Sequence, residues 1–150
     1  MSLISKLRAA FDIIGEPIEE PTPVFVDPVM GTMKWSEDDE AWIGEYNGFR
    51  FALSYERKRE PTSAVIGYAR ETLANPHWLN DGLAQAKAAA ARDFGQYYVD
   101  EANSLIFGLI HFHFYKNQPR IFAELEGGRD FRCWRIEYSG TKCDGMGFDN

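Results

Sequence analysis

Along this chain the spacing of apolar residues switches between helical and strand periods, and the order of the switches outlines an architecture. Leu3, Ile4, Leu7, Phe11 and Ile14 recur at helical spacing, with Ser2 placed to cap the start of the segment and Gly15 to end it. Gly15 to Pro23 holds three prolines and three acids and predicts an extended linker. Residues 1–14 therefore read as a helical arm on a Pro-rich tether, free to pack on its own domain or on a second copy. Val24 to Trp35 reads as extended, with Pro28 marking a break or an edge. The clearest local signal follows. Ala41–Tyr46 and Phe49–Tyr55 flank Asn47-Gly48, the preferred pair for a type I′ turn. That loop sets Tyr46 opposite Phe49, Gly44 opposite Phe51 and Trp42 opposite Leu53 on one face, which Tyr55 joins, with Glu45 opposite Arg50 on the other.

The period then becomes helical. Pro61-Thr62-Ser63 opens a helix whose stripe is Val65, Ile66, Ala69 and Leu73. Asn75 caps a second helix with Pro76 as its first residue, and Leu79, Leu83, Ala86, Ala90, Phe94 and Tyr97 place it over residues 76–100. The alanine run 88–91 gives that helix a thin profile, and Gly95 weakens its end. Leu105–Tyr115 alternates as a long strand. Ile121–Leu125 and Phe131–Tyr138 complete a meander, and Ser139–Asn150 reads as irregular. The expected fold is α+β: an N-terminal helix, an antiparallel β-hairpin region, two central helices and a C-terminal three-stranded antiparallel meander. It forms a single domain, with residues 1–14 as arm, 15–23 as linker and 24–150 as body.

Composition narrows the function classes. The formal charge of −7 is the wrong sign for general nucleic-acid binding and suits a basic protein partner. No apolar run approaches the ~18 residues that span a bilayer, and the first apolar segment carries Lys6, Arg8 and Asp12 rather than a signal-peptide pattern. Two cysteines, Cys133 and Cys143, do not make a disulfide framework, so a reduced, cytoplasmic setting is expected.

Few residues carry chemistry. His111 and His113 stand two apart on a strand, so their imidazoles share a face and offer two donors to one metal ion. A third donor has to come from a nonlocal residue such as Glu124, Glu137 or Cys133, and the plain alternative is a histidine pair on the less apolar sheet face, packed against Tyr115 or solvated. Cys133 lies between Arg132 and Arg135, but Arg132 alternates to the opposite face and is a poor partner for a thiolate. Glu37, Asp38, Asp39 and Glu40 form a dense acidic turn that reads either as a contact for a basic partner or as a solvated tip. Arg57-Lys58-Arg59 is offset by flanking glutamates. Trp35 and Trp78 are freer than the other aromatics to make surface contacts. No phosphate loop, nucleophile elbow or histidine zinc-protease motif is present, so neither catalytic residues nor cofactors are expected.

Gly31-Thr32-Met33-Lys34-Trp35, the acidic turn, Trp42 and the Asn47-Gly48 hairpin resemble the front half of a bacterial domain-of-unknown-function family, numbered twenty-two sixty-two. The helix pair and a terminal meander with Trp134 and Ile136 are similar too, so the likeness spans about residues 24–147. Trp134-Arg135-Ile136 stands where that family carries a glycine-histidine pattern. The resemblance implies a bacterial, cytoplasmic protein and transfers no activity. The expected function is a noncatalytic protein-binding domain, of the immunity-like kind that neutralises a basic partner such as a toxin. Its partner-binding residues are Glu37, Asp38, Asp39, Glu40 and Trp35, with a homodimer through the N-terminal helix as a further association. The alternatives are a small metal-binding enzyme using His111 and His113, or a small-molecule-binding domain between the hairpin face and the helices.

Overall fold

The computed structural model of the chain describes residues 21–54 and 60–149. The expected N-terminal helix, most of its linker, Tyr55 and the Arg57-Lys58-Arg59 connector lie outside the described residues. The expectation of two separate β regions is overturned. Among the described residues all strands form one eight-stranded mixed sheet whose spatial order follows the chain: β1 (Val24–Asp27), β2 (Gly31–Ser36), β3 (Ala41–Tyr46), β4 (Phe49–Ser54), β5 (Ile106–Tyr115), β6 (Gln118–Glu126), β7 (Cys133–Ser139) and β8 (Lys142–Asp149). Every neighbouring pair is antiparallel except β4 and β5, which run parallel with Arg50 beside Leu109 and Ala52 beside His111.

Local chemistry explains the hairpins on each side of that seam. Asp27 closes the first turn: its carboxylate accepts from the backbone N–H groups of Val29 (2.9 Å) and Met30 (2.8 Å), and Pro28 presets the bend. Asn47 and Gly48 adopt φ of 50° and 79°, as a type I′ turn requires, and the β3–β4 register is the one the sequence predicts. Asn47 also donates from Nδ2 to the Leu73 carbonyl at 3.1 Å, tying the hairpin tip to a helix end. The terminal meander has four strands rather than three. Lys142–Asp149 pairs along β7 because Met146 and Phe148 alternate onto the core, a signal that the surrounding glycines obscure.

The crossover from β4 to β5 carries α1 (Ser63–Ala74), α2 (His77–Ala88), α3 (Ala90–Asp93), a 3₁₀ turn (Gln96–Tyr98) and α4 (Val99–Ser104). The helix expected over 76–100 is thus divided, and the chain turns at Gly95 with φ of 98°. Thr62 caps α1, its hydroxyl accepting from the Val65 N–H at 3.3 Å. Val65, Ala69, Leu73, Leu79, Leu83, Ala90 and Ala102 from the helices join Met33, Trp35, Trp42, Phe51, Leu53, Ile110, Phe112, Ile121, Trp134, Ile136 and Tyr138 in one core. The helices in this core therefore lie on one face of the sheet. Tyr138 is wholly buried and donates its hydroxyl to the Leu79 carbonyl at 2.6 Å, while Tyr68 donates to the Gly140 carbonyl at 2.9 Å.

Two ion pairs built on buried carboxylates fix the helices at opposite ends of the sheet. Asp27, only 4% exposed, receives Arg70 of α1 at 2.7 Å. Glu101 of α4 accepts from the Trp134 indole N–H (2.8 Å), the Arg129 backbone N–H (2.9 Å) and the Arg132 guanidinium. That guanidinium lies 4.7 Å from the Tyr98 ring centre and 4.8 Å from that of Phe131, a cation–π enclosure. Burial alone pushes both carboxyls up, but the donated hydrogen bonds and arginine charges outweigh it and hold both below their ordinary range.

Two predictions follow from this packing. A Cβ added at Gly82 would meet Tyr138 Cε1 at 2.6 Å and Cys143 Cβ at 3.0 Å, and the buried Tyr138 ring has no room to retreat. Gly82→Ala gains about 1 kcal/mol of helix propensity but overpacks a core contact at a cost of about 1–3 kcal/mol. A lower urea midpoint at unchanged slope is expected, and a raised midpoint would refute the contact. Because Asp27 and Glu101 titrate below their unfolded values, their stabilisation is complete above those values and is lost as pH falls from about 4 through the folded pKa values. Glu101→Gln leaves Arg132 buried without its counterion, at a cost of about 3–5 kcal/mol. It should also flatten this acid limb in unfolding measured at successive pH values.

Candidate functional site

Alternation along the strands decides which side chains are free to act. Residues that alternate with the core positions point to the face away from the helices. On β5 these are Leu109, His111, His113 and Tyr115, and on β6 Arg120, Phe122 and Glu124. Glu137 and Ser139 of β7 and Asp144 of β8 extend the same polar surface.

His111 and His113 share this face, as their spacing requires. His111 is engaged by Glu124, Nε2 to Oε1 at 3.2 Å, and its ring lies 5.6 Å from that of Phe122. His113 sits opposite Arg120 in the β5–β6 register. Burial lowers its pKa first, followed by the charges of His111 and Arg120, and Glu137 opposes them only in part. Among the described residues no group of three histidine, cysteine or acidic side chains is placed to hold a metal ion. Cys133 is exposed and Cys143 half-buried, both as free thiols, and burial raises the Cys143 pKa.

The strand ends bring together residues that the sequence keeps apart. At the carboxyl ends of β4 and β5, a cleft of about 630 Å³ opens between the β2–β3 turn, the start of α1 and the β5–β6 turn. Asp39 and Glu40 form one wall, and Ser54, Thr62, His113 and Asn117 add polar groups. The acidic turn is thus exposed, and its last two carboxylates also face a concavity. Ser36 stiffens the turn by donating its hydroxyl to Asp39 at 2.6 Å, and Glu40 holds a φ of 47°. Among the described residues neither Asp39 nor Glu40 is paired with a cation.

A second cleft of about 480 Å³ shares His113 and is lined by Tyr115, Arg120, Phe122, Glu137 and Asp144. Here the charges already satisfy one another. Arg120 donates to Ser139 and reaches Asp144 at 3.3 Å, and Ser139 donates to Asp144. Among the described residues the two clefts therefore differ in kind, one with carboxylates that no cation meets and one internally neutralised.

Trp35 does not join the acidic turn as a surface contact. It is 6% exposed and packs edge-on against Trp42 at 5.6 Å, because its position on β2 points it to the helix-bearing face. Trp78 is half-buried against Tyr138. The aromatic hairpin face is core rather than pocket wall: Phe51 and Trp42 are buried under the helices. Sequence reasoning missed Ser54, Thr62 and Asn117 as cleft residues, since only the parallel β4–β5 pairing brings them near the acidic turn. The nearest signal was Thr62, already legible as a helix cap.

A proton NMR titration of the His113 ring should give a midpoint below the ordinary histidine value of about 6.5. Arg120→Gln should move it upward by removing a neighbouring cation, and a midpoint indifferent to Arg120 would show that the charge does not act on His113.

Among the described residues no helix is long and apolar enough to cross a membrane. No protein-family model, no curated protein and no solved structure matches the chain.

Proposed function

We propose that this chain is a noncatalytic binding domain that holds a basic protein partner at the cleft bounded by Asp39 and Glu40. The observation that carries this reading is the pair of carboxylates, met by no cation among the described residues, on the wall of a concave, polar site. An ammonium or guanidinium group entering there meets two anions and the acceptor oxygens of Ser54, Thr62 and Asn117. Glu37 and Asp38, the preceding residues of the same turn, are solvent-exposed. The net charge of −7 adds long-range attraction for a cationic surface, raising the rate of encounter before any contact forms.

The histidine pair suits this role better than it suits metal chemistry. His111 is occupied by Glu124, and a neutral His113 lets a cation approach the cleft without repulsion. In its immunity-like form, the reading makes the partner a basic toxin neutralised by capture. The likeness to the family numbered twenty-two sixty-two supports a bacterial cytoplasm as the setting.

Affinity capture from the source organism at physiological salt tests the reading, using the full chain beside a doubly neutralised Asp39→Asn, Glu40→Gln variant. Exposed ion pairs are worth about 0.2–1 kcal/mol each, so losing two should weaken the partner by about 2- to 30-fold. A basic protein retained by the parent chain and depleted on the variant is the expected outcome. Retention of no specific partner, or of one indifferent to both substitutions, would overturn it.

A further inference from the structure

The two edges of the sheet are not equally defended. β1 is short, and Pro23 and Pro28 stand at its ends. β8 is eight residues long and contains no proline, and among the described residues no strand lies beyond it. A strand in that position offers a row of backbone N–H and C=O groups to an extended chain that can pair with them. One irregularity interrupts the row. Glu137 pairs with Gly145 and Tyr138 with Cys143, which leaves Asp144 bulged out of the ladder. The bend that a bulge introduces confines the regular edge to residues 145–149.

The side chains along this edge are incompletely covered. Met146 and Phe148 turn toward the main core, opposite Ile136 and Trp134 of β7. Phe148 packs on Trp134, Phe94 and Tyr98, at ring-centre distances of 4.6, 5.7 and 5.1 Å. Ile136 and Trp134, flanked by strands on both sides, are buried, whereas Met146 and Phe148 are only half-buried. Gly145, Gly147 and Asp149 alternate to the other face. A Cβ added at Gly147 would meet nothing within 4 Å. A strand that completes this seam therefore carries two apolar residues on the helix-bearing face with a small residue between them.

We infer that the strand is β8 of a second copy of this chain, paired antiparallel about a two-fold axis through Gly147. An axis perpendicular to the sheet keeps the helix layers of both copies on one face. It sets Met146 of each chain opposite the partner's Phe148, so the same apolar cross-strand pair forms twice. Gly147 meets the partner's Gly147 at the axis, where no side chain obstructs the approach of the two backbones. Gly145 faces the partner's Asp149, so no like charges oppose each other over residues 145–149.

Such a contact is isologous and closes at two chains, because each copy uses its one β8 edge in forming it. The seam is short and falls below the about 1,000 Å² of a standard interface, so the dimer is reversible and concentration-dependent. None of residues 145–149 lines the Asp39–Glu40 cleft, so the pairing edge is separate from the proposed capture site.

Sedimentation velocity of the full chain between about 1 μM and about 1 mM tests the pairing. The parent should shift from one chain to two as concentration rises. Gly147 has open space above it and a φ outside the left-handed region, so Gly147→Glu and Gly147→Lys should each keep the parent's circular dichroism and urea midpoint. Each variant alone sets like charges against each other at the axis and should stay monomeric. An equimolar mixture of the two sets opposite charges there and should regain the dimer. A parent that stays monomeric throughout, a dimer that survives either substitution, or a mixture that does not associate would each overturn the inference.

Discussion

The parallel pairing of β4 with β5 is the constraint on which the rest of the structure depends. Each antiparallel block, taken alone, would end in an apolar strand with unpaired backbone groups, an edge that natural sheets avoid. Pairing Phe51 beside Ile110 and Leu53 beside Phe112 removes both edges at once. Parallel neighbours need a long crossover, and the segment between them supplies it as α1 to α4. Helices that start and finish on one sheet must bury their stripes against it, so Val65, Leu73, Leu79 and Leu83 all enter one core. The cleft is a consequence of the same pairing. In sheets with parallel strands, the space beyond the carboxyl ends is where crossovers part and ligands are held. Here the acidic β2–β3 turn folds over that space.

The edges created by this arrangement are managed differently. β1 is only four residues long, and prolines flank it at positions 23 and 28. It is anchored through Asp27, whose carboxylate serves its own turn and Arg70 of α1 together. Removing Arg70 would strand Asp27 in a poorly solvated site, whereas Arg70 is itself 38% exposed, so the pair acts through specificity of position more than through net attraction. The Glu101–Arg132 pair does the same for α4 against β7. Its aromatic surround of Tyr98, Phe131 and Phe148 explains why a short helix of weak intrinsic stability stays docked.

Local features were legible in the sequence because they depend on neighbours in the chain. Asn47-Gly48 dictated its turn and, through it, the register from Trp42–Leu53 to Tyr46–Phe49. Thr62 announced the start of α1 by its hydroxyl. Two errors had distinct physical origins. The single sheet was missed because β4–β5 pairing joins residues more than fifty positions apart, and both strands read as alternating rather than as continuous apolar runs. β8 was missed because Gly145 and Gly147 break the apolar alternation, leaving Met146 and Phe148 as its only inward side chains beyond Cys143. At the site, the acidic turn was readable but its concavity was not. Trp35 was misplaced because its face is set by strand pairing with Trp42, not by its proximity to the acids.

The two clefts at this end of the sheet show why charge arrangement, more than charge count, marks the binding surface. Arg120, Ser139 and Asp144 form a closed set in which each charge already has its complement, so a ligand entering there has to displace protein–protein bonds of comparable strength. Asp39 and Glu40 have no cationic partner among the described residues, where Asp39 accepts only from the Ser36 hydroxyl. Anions left facing a concave surface repel each other and so weaken the isolated fold slightly. An incoming positive charge relieves that repulsion as well as adding attraction. His113 stands between the two arrangements. Burial and the Arg120 charge hold its pKa below the ordinary histidine value, and it lines both clefts.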